Sequence, residues 1–100
     1  MVNKILKKLE DSSGRLNIPK ELLDFVGIKL NEKIALCEFE NGIKIKSLNT
    51  LQDCKVISIV KMDNKGLFVF PNYLLERDRH ETVFQIYVLN GDLILQEPEL

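Results

Sequence analysis

The chain has no tryptophan, one histidine, two cysteines, three prolines and five glycines among its 100 residues. Each shortage excludes something. The one histidine, His80 in "ERDRHE", has no second ligand at metal spacing, so no metal site is expected and His80 reads as a loop residue. Cys37 and Cys54 form no C-x-x-C and no disulfide framework. We read them as free thiols of a reducing compartment, with Cys37 in a strand core and Cys54 more reactive, which predicts a cytoplasmic location. The sparse glycines leave "GRLNIP" without the Gly-rich run of a phosphate-cradling loop. No apolar run approaches the roughly 18 residues that span a bilayer. The opening "MVNKILKKLEDSS" lacks the apolar core of a signal peptide. Carboxylates are scattered, with no nucleophile beside a base. An enzyme is therefore not expected, nor a cofactor, a small-molecule substrate or a membrane partner.

What remains is an ordinary globular composition, with 45% hydrophobic and 29% charged residues. A chain of this length makes one domain and buries about two-thirds of its unfolded surface. The net charge of −1 hides an asymmetry. Residues 1–50 carry nine basic and seven acidic side chains, and residues 51–100 carry five and eight. This is either scatter over a solvated surface or a basic face confined to one half.

A repeat organises the rest. Adding 52 to the first-half numbers carries Gly14 to Gly66, Pro19 to Pro71, and Leu22-Leu23 to Leu74-Leu75. Upstream, Lys8-Leu9-Glu10 matches Lys61-Met62-Asp63 at 53, and downstream Asn41-Gly42 matches Asn90-Gly91 at 49. The segment between helix and hairpin is then about three residues shorter in the second half. Each half reads as ββαββ. The strands are "NKILKKL", "RLNI" and the hairpin "KIALCEFENGIKIKSL", then "VISIVKM", "LFVF" and the hairpin "TVFQIYVLNGDLILQ". Pro19 suits a first helical position, Leu22, Leu23 and Val26 make one apolar face, and Gly27 ends the helix. A second helix is expected over "PNYLLERD". Asn-Gly predicts a type I′ turn in both hairpins.

Halves of about 50 residues are marginal alone, and their short strands would leave open edges. Sharing one core solves both problems. The expected fold is therefore mainly β with short helices. It is a pseudo-two-fold structure of repeat one (1–48), a joint (49–53) and repeat two (54–97). Phe68, Phe70, Tyr73, Phe84 and Tyr87 are expected in the core, and an exposed Phe68–Phe70–Tyr73 patch would instead mark a protein-binding face. Lys44 and Lys46 alternate with Ile43 and Ile45 and read as the wet side of a hairpin.

Basic Lys7 and Lys8, acidic Glu10, Gly14-Arg15, Ile18-Pro19, a short helix ending in Gly27-Ile28 and a hairpin follow in order through residues 4–48. In that order the stretch resembles the AbrB/MazE/SpoVT DNA-binding domain, the swapped-hairpin fold. Two such units in one chain are similar to the MraZ arrangement or to a fused dimer, and imply a swapped-hairpin β-barrel. The resemblance implies duplex DNA as partner and a role in transcription regulation. It places Arg15 at the Gly-Arg position and Lys7 or Lys8 at the basic strand position; we add Lys20 on the helix to the candidate contacts, with Lys61 and Lys65 nearby in the second unit. The chain departs from the pattern at Leu23 and Asp24, where strong DNA binders often carry arginine, and at Leu67, which replaces the second unit's arginine. Arginine suits bidentate phosphate or guanine contact. The other reading of Arg15 is an ion pair with Glu10 or Asp11 across its own turn. The alternative function is a protein-interaction module, antitoxin-like or a self-associating adaptor, that kept the fold and lost strong DNA binding.

Overall fold

In "VFQIYVL" every second side chain is apolar, and Phe84, Ile86 and Val88 are buried in a strand over Val83–Leu89. The same period-two rule generates most of the molecule. The computed structural model describes residues 5–8, 14–40, 42–50, 54–71 and 83–96. Within them run β1 (Ile5–Lys8), β2 (Arg15–Asn17), α1 (Lys20–Val26), β3 (Lys33–Phe39), β4 (Gly42–Ser47), a 3-10 turn (Leu48–Thr50), β5 (Val56–Lys61), β6 (Leu67–Val69), β7 (Val83–Leu89) and β8 (Asp92–Gln96). The chain is mainly β, as expected. The helix expected after Pro71, with Tyr73 and His80, falls outside the described residues.

All pairings among the described strands are antiparallel. Six strands form a sheet in the order β1-β7-β8-β4-β3-β5, and β2 and β6 form a separate two-stranded ribbon. Among the described residues the two sheets do not close into one barrel: the larger one ends at β1 and at β5. Adding 50 to the first-half number turns the pair Ile43↔Leu95 into the pair of Leu93 with Ile45, which is also observed. Adding 52 likewise turns Arg15↔Val69 into Leu67↔Asn17. The backbone agrees, since Ile18 N–H donates to Gly66 O and Phe70 N–H donates to Gly14 O, both at 3.0 Å.

The hairpins correct one reading. Phe39 pairs with Gly42 and Leu89 with Asp92, so the hairpins correspond at 50, not at 49. The segment before the second hairpin is thus shorter by two residues relative to the offset of 52, rather than three. The turn in the second hairpin is Asn90-Gly91, with φ of 52° and 83° as a type I′ turn needs. In the first hairpin Gly42 is already in β4, without positive φ. There it permits close approach, because a Cβ would collide with the Leu95 carbonyl oxygen.

In α1 the proline stands one place earlier than expected. Pro19 is the N-cap, with φ −57° and ψ 139°, rather than the first helical residue. Gly27 closes the helix in the left-handed region at φ 76°, and Ile28 N–H donates to Leu23 O at 2.9 Å. Leu23 is buried, and Leu22 and Val26 pack beside it against the core. Phe25, on the other side of the helix, is 75% exposed.

The core lies between one face of the large sheet and the inner face of the ribbon. Leu16 and Phe68 meet across the ribbon's centre and are both buried. Phe70 stacks at 4.9 Å between ring centroids on Phe84. Phe68 and Phe70 are thus core residues, not an exposed aromatic patch. Gly66 sits at φ 83°, where a Cβ would come within 2.8 Å of Ile18 O. Gly66→Ala should therefore cost about 2 to 3 kcal/mol, from the left-handed conformation plus that contact, read as a lower urea midpoint with unchanged slope.

The sheet's other face is not simply wet. Ala35, Cys37 and Ile94 are buried on it. Lys44 and Lys46, expected in water, are half-buried there and reach Asp92 at 3.6 and 3.4 Å. Tyr87, expected in the core, is half-buried on this face, and its hydroxyl donates to Gln96 Oε1 at 2.7 Å.

Candidate nucleic-acid interface

The ribbon buries Leu16 and Phe68 on one side, so Arg15, Asn17, Leu67 and Val69 stand on the other. Arg15 is exposed, and Val69 opposite it is 50% exposed. Asn17 Nδ2 donates to Lys65 O at 2.8 Å, which holds the turn of residues 63–66 against β2. Asp63 organises that turn. Its Oδ1 accepts from Lys65 N–H at 2.8 Å and from Leu67 N–H at 3.0 Å. These two bonds, with the charges of Lys65 and Arg15, hold the Asp63 carboxyl below the usual aspartate range. Arg15 and Lys65 thus share one electrostatic neighbourhood, and a carboxylate sits inside it.

A carboxylate depressed in the folded state adds stability above its unfolded pKa of about 4, and that stability is lost as pH falls through the folded value. Below about pH 4 the wild type should therefore lose stability more steeply than Asp63→Asn, as urea midpoints at about pH 3 and about pH 6 will show.

The other basic residues divide. Lys20 is exposed at the start of α1, two residues after Ile18, whose N–H bonds the 63–66 turn at Gly66 O. Lys20 and Lys65 therefore flank one end of the ribbon. Lys61 does not join them. Its neighbour Val60 packs toward the core, so Lys61 is on the sheet face turned away from the ribbon. There Lys61 stands directly opposite Lys33, and neither has an ion pair among the described residues. Lys7 stands opposite Phe84 and Lys8 opposite Val83 on β1, and their side chains lie outside the described residues. Lys20 and Lys65 thus lie at one end of the ribbon and Arg15 at the other, while Lys61 is on the far face of the sheet.

Two further residues were not among the contacts named from the sequence. Lys33, on the far face with Lys61, was missed because that partner comes from the other half, and nothing local signals the pairing. Asp63 was visible only as the acidic residue matching Glu10.

No metal-binding cluster of His, Cys, Asp and Glu occurs among the described residues. No helix among them is long and apolar enough to cross a membrane. Comparison with protein-family models, with curated proteins and with solved structures gives no match.

Proposed function

We propose that the chain is an AbrB-like, cytoplasmic DNA-binding regulator made of two swapped-hairpin units. On this reading it contacts duplex DNA through the outer side of the β2–β6 ribbon, with Arg15, Lys20 and Lys65 as the working charges. The observation that carries the reading is the pairing of β2 with β6, which sets Asn17 against the Lys65 turn and puts exposed Arg15 on the same side of the ribbon, opposite Val69. The pairings of β1 with β7 and of β5 with β3 support the swapped arrangement, since each joins a strand to the other half's hairpin. Leu67 and Asp63 make the face asymmetric: one side holds Arg15 and the other an apolar edge. A symmetric dimer would present its contacts twice, and this chain presents them once.

With about three to five phosphates neutralised, log affinity should fall against log salt with a slope of roughly −3 to −4. Arg15→Ala should weaken binding by about 1 to 3 kcal/mol if the arginine is bidentate to a base, and Lys65→Ala by less. Fluorescence anisotropy with a labelled duplex across a salt series measures both. Full binding by a folded Arg15→Ala would overturn the assignment.

One observation favours the alternative, a protein-interaction module. Val69 on the same face and Phe25 on α1 are exposed apolar side chains. Absence of DNA binding at low salt would give that reading the lead.

A further inference from the structure

Cys37 and Cys54 are far apart in sequence, and a local irregularity brings them onto one face. β3 and β5 pair as Ile34↔Val60 and Leu36↔Ser58, then shift register to Cys37↔Val56. Ile57 is the extra residue, a β-bulge. Pairing continues beyond it, with Glu38 N–H donating to Lys55 O at 2.8 Å. Side chains alternate along a strand, so a one-residue slip moves each one to the other face. Without the bulge Cys37 would face Ile57, and Cys54 would lie on the opposite side of the sheet. With it, Cys54 is two residues from Val56 and shares the face of Cys37. The two thiols are close enough there to act on one another. Lys46, which reaches Asp92 at 3.4 Å, lies near Cys54 on the same face. The corresponding pairing of β1 with β7 has no register shift among its described residues.

We propose that Cys37 and Cys54 form a reversible intramolecular disulfide by exchange with a small-molecule disulfide of the glutathione type, Cys54 attacking and Cys37 resolving. Cys54 is half-buried, Cys37 is buried, and both are free thiols in this structure. Cys54 is the more accessible of the two, so a dissolved disulfide meets it first. Cys54 Sγ attacks one sulfur of oxidised glutathione. That S–S bond breaks, and one glutathione leaves as thiol, taking up the proton Cys54 has lost. Cys37 then gives up its proton and attacks Cys54 Sγ, expelling the second glutathione, which takes that proton. Two protein thiols are oxidised by two electrons, and one glutathione disulfide is reduced to two thiols. Burial pushes the Cys37 thiol up to about 11, with Cys54 adding to the rise, so closure is the slower step. The bridge encloses residues 38–53, and so ties the first hairpin to the start of the second half.

The test uses the full chain in excess oxidised glutathione, followed by intact mass and by maleimide labelling after denaturation. Wild type should lose two hydrogens in mass, take up no maleimide, and close faster when native than in denaturant. Its melting temperature should rise by roughly 10 °C, reversibly on reduction. Cys37→Ala should stop at a glutathione adduct on Cys54, and Cys54→Ala should stay unmodified. A wild type that accumulates the glutathione adduct, forms intermolecular dimers, or closes no faster when native than when unfolded would overturn the proposal.

Discussion

Expressed separately, residues 1–48 and 54–100 should each fail to fold under conditions where the whole chain is folded. Of the pairings among the described strands, only β3–β4 and β7–β8 lie within one half. β1, β5 and both ribbon strands find their partners in the other half. An isolated half would keep one hairpin, and a lone hairpin is marginal in water at best. It would also expose the faces of β4 and β8 that bury Ile43, Ile45, Leu93 and Leu95. Mixed at equal concentration, the two fragments should recover dispersed amide spectra by complementation. Two fragments that are each monomeric and well dispersed would contradict a shared core.

The second large effect is expected at Phe68→Ala. Phe68 is 2% exposed, faces buried Leu16 across the ribbon, and lies 6.5 Å from the Phe70 ring. Truncating a buried phenylalanine costs about 3 to 5 kcal/mol, from lost transfer energy plus the cavity left behind. A domain of this length has about 5 to 15 kcal/mol in total, so the variant should lose a large share of its stability. The melting temperature should fall by roughly 12 to 30 °C. Val69→Ala, next to it on the exposed side, should shift stability by less than about 1 kcal/mol. Equal losses at the two positions would contradict the placement of the ribbon over the core.

The elements were legible where the signal is local. "VFQIYVL" declares a half-buried strand by alternation alone, and Gly27 marks the end of α1 by its conformational freedom. The correspondence of Gly14 with Gly66 was legible because both glycines take positive φ, 77° and 83°, just before the two ribbon strands. The hairpin offset was misread for a physical reason. Identical Asn-Gly pairs suggested 49, but the apolar faces must stay in phase, which carries Ile43 to Leu93 and Ile45 to Leu95. The apolar phase won, and Gly42 moved into the strand. The partner of each strand was not legible at all, since pairing of β1 with β7 or of Lys33 with Lys61 depends on contacts far apart in sequence. The bulge at Ile57 was equally hidden, and with it the meeting of Cys37 and Cys54. Of the candidate contacts, Arg15 and Lys20 were named from a turn and a helix start, whereas the placement of Lys65 at the ribbon's end and of Lys61 on the far face of the sheet needed the fold.

The central claim is that the ribbon, and chiefly its first-half strand, is the DNA-binding face. An NMR titration of the whole chain with random-sequence duplex DNA at low salt tests it most directly. The account predicts shifts concentrated at residues 14–20 and at Lys65-Gly66, smaller shifts at Lys33 and Lys61, and loss of the pattern as salt rises. No shifts, or shifts centred on Phe25 or on the Lys44–Asp92 face, would contradict it.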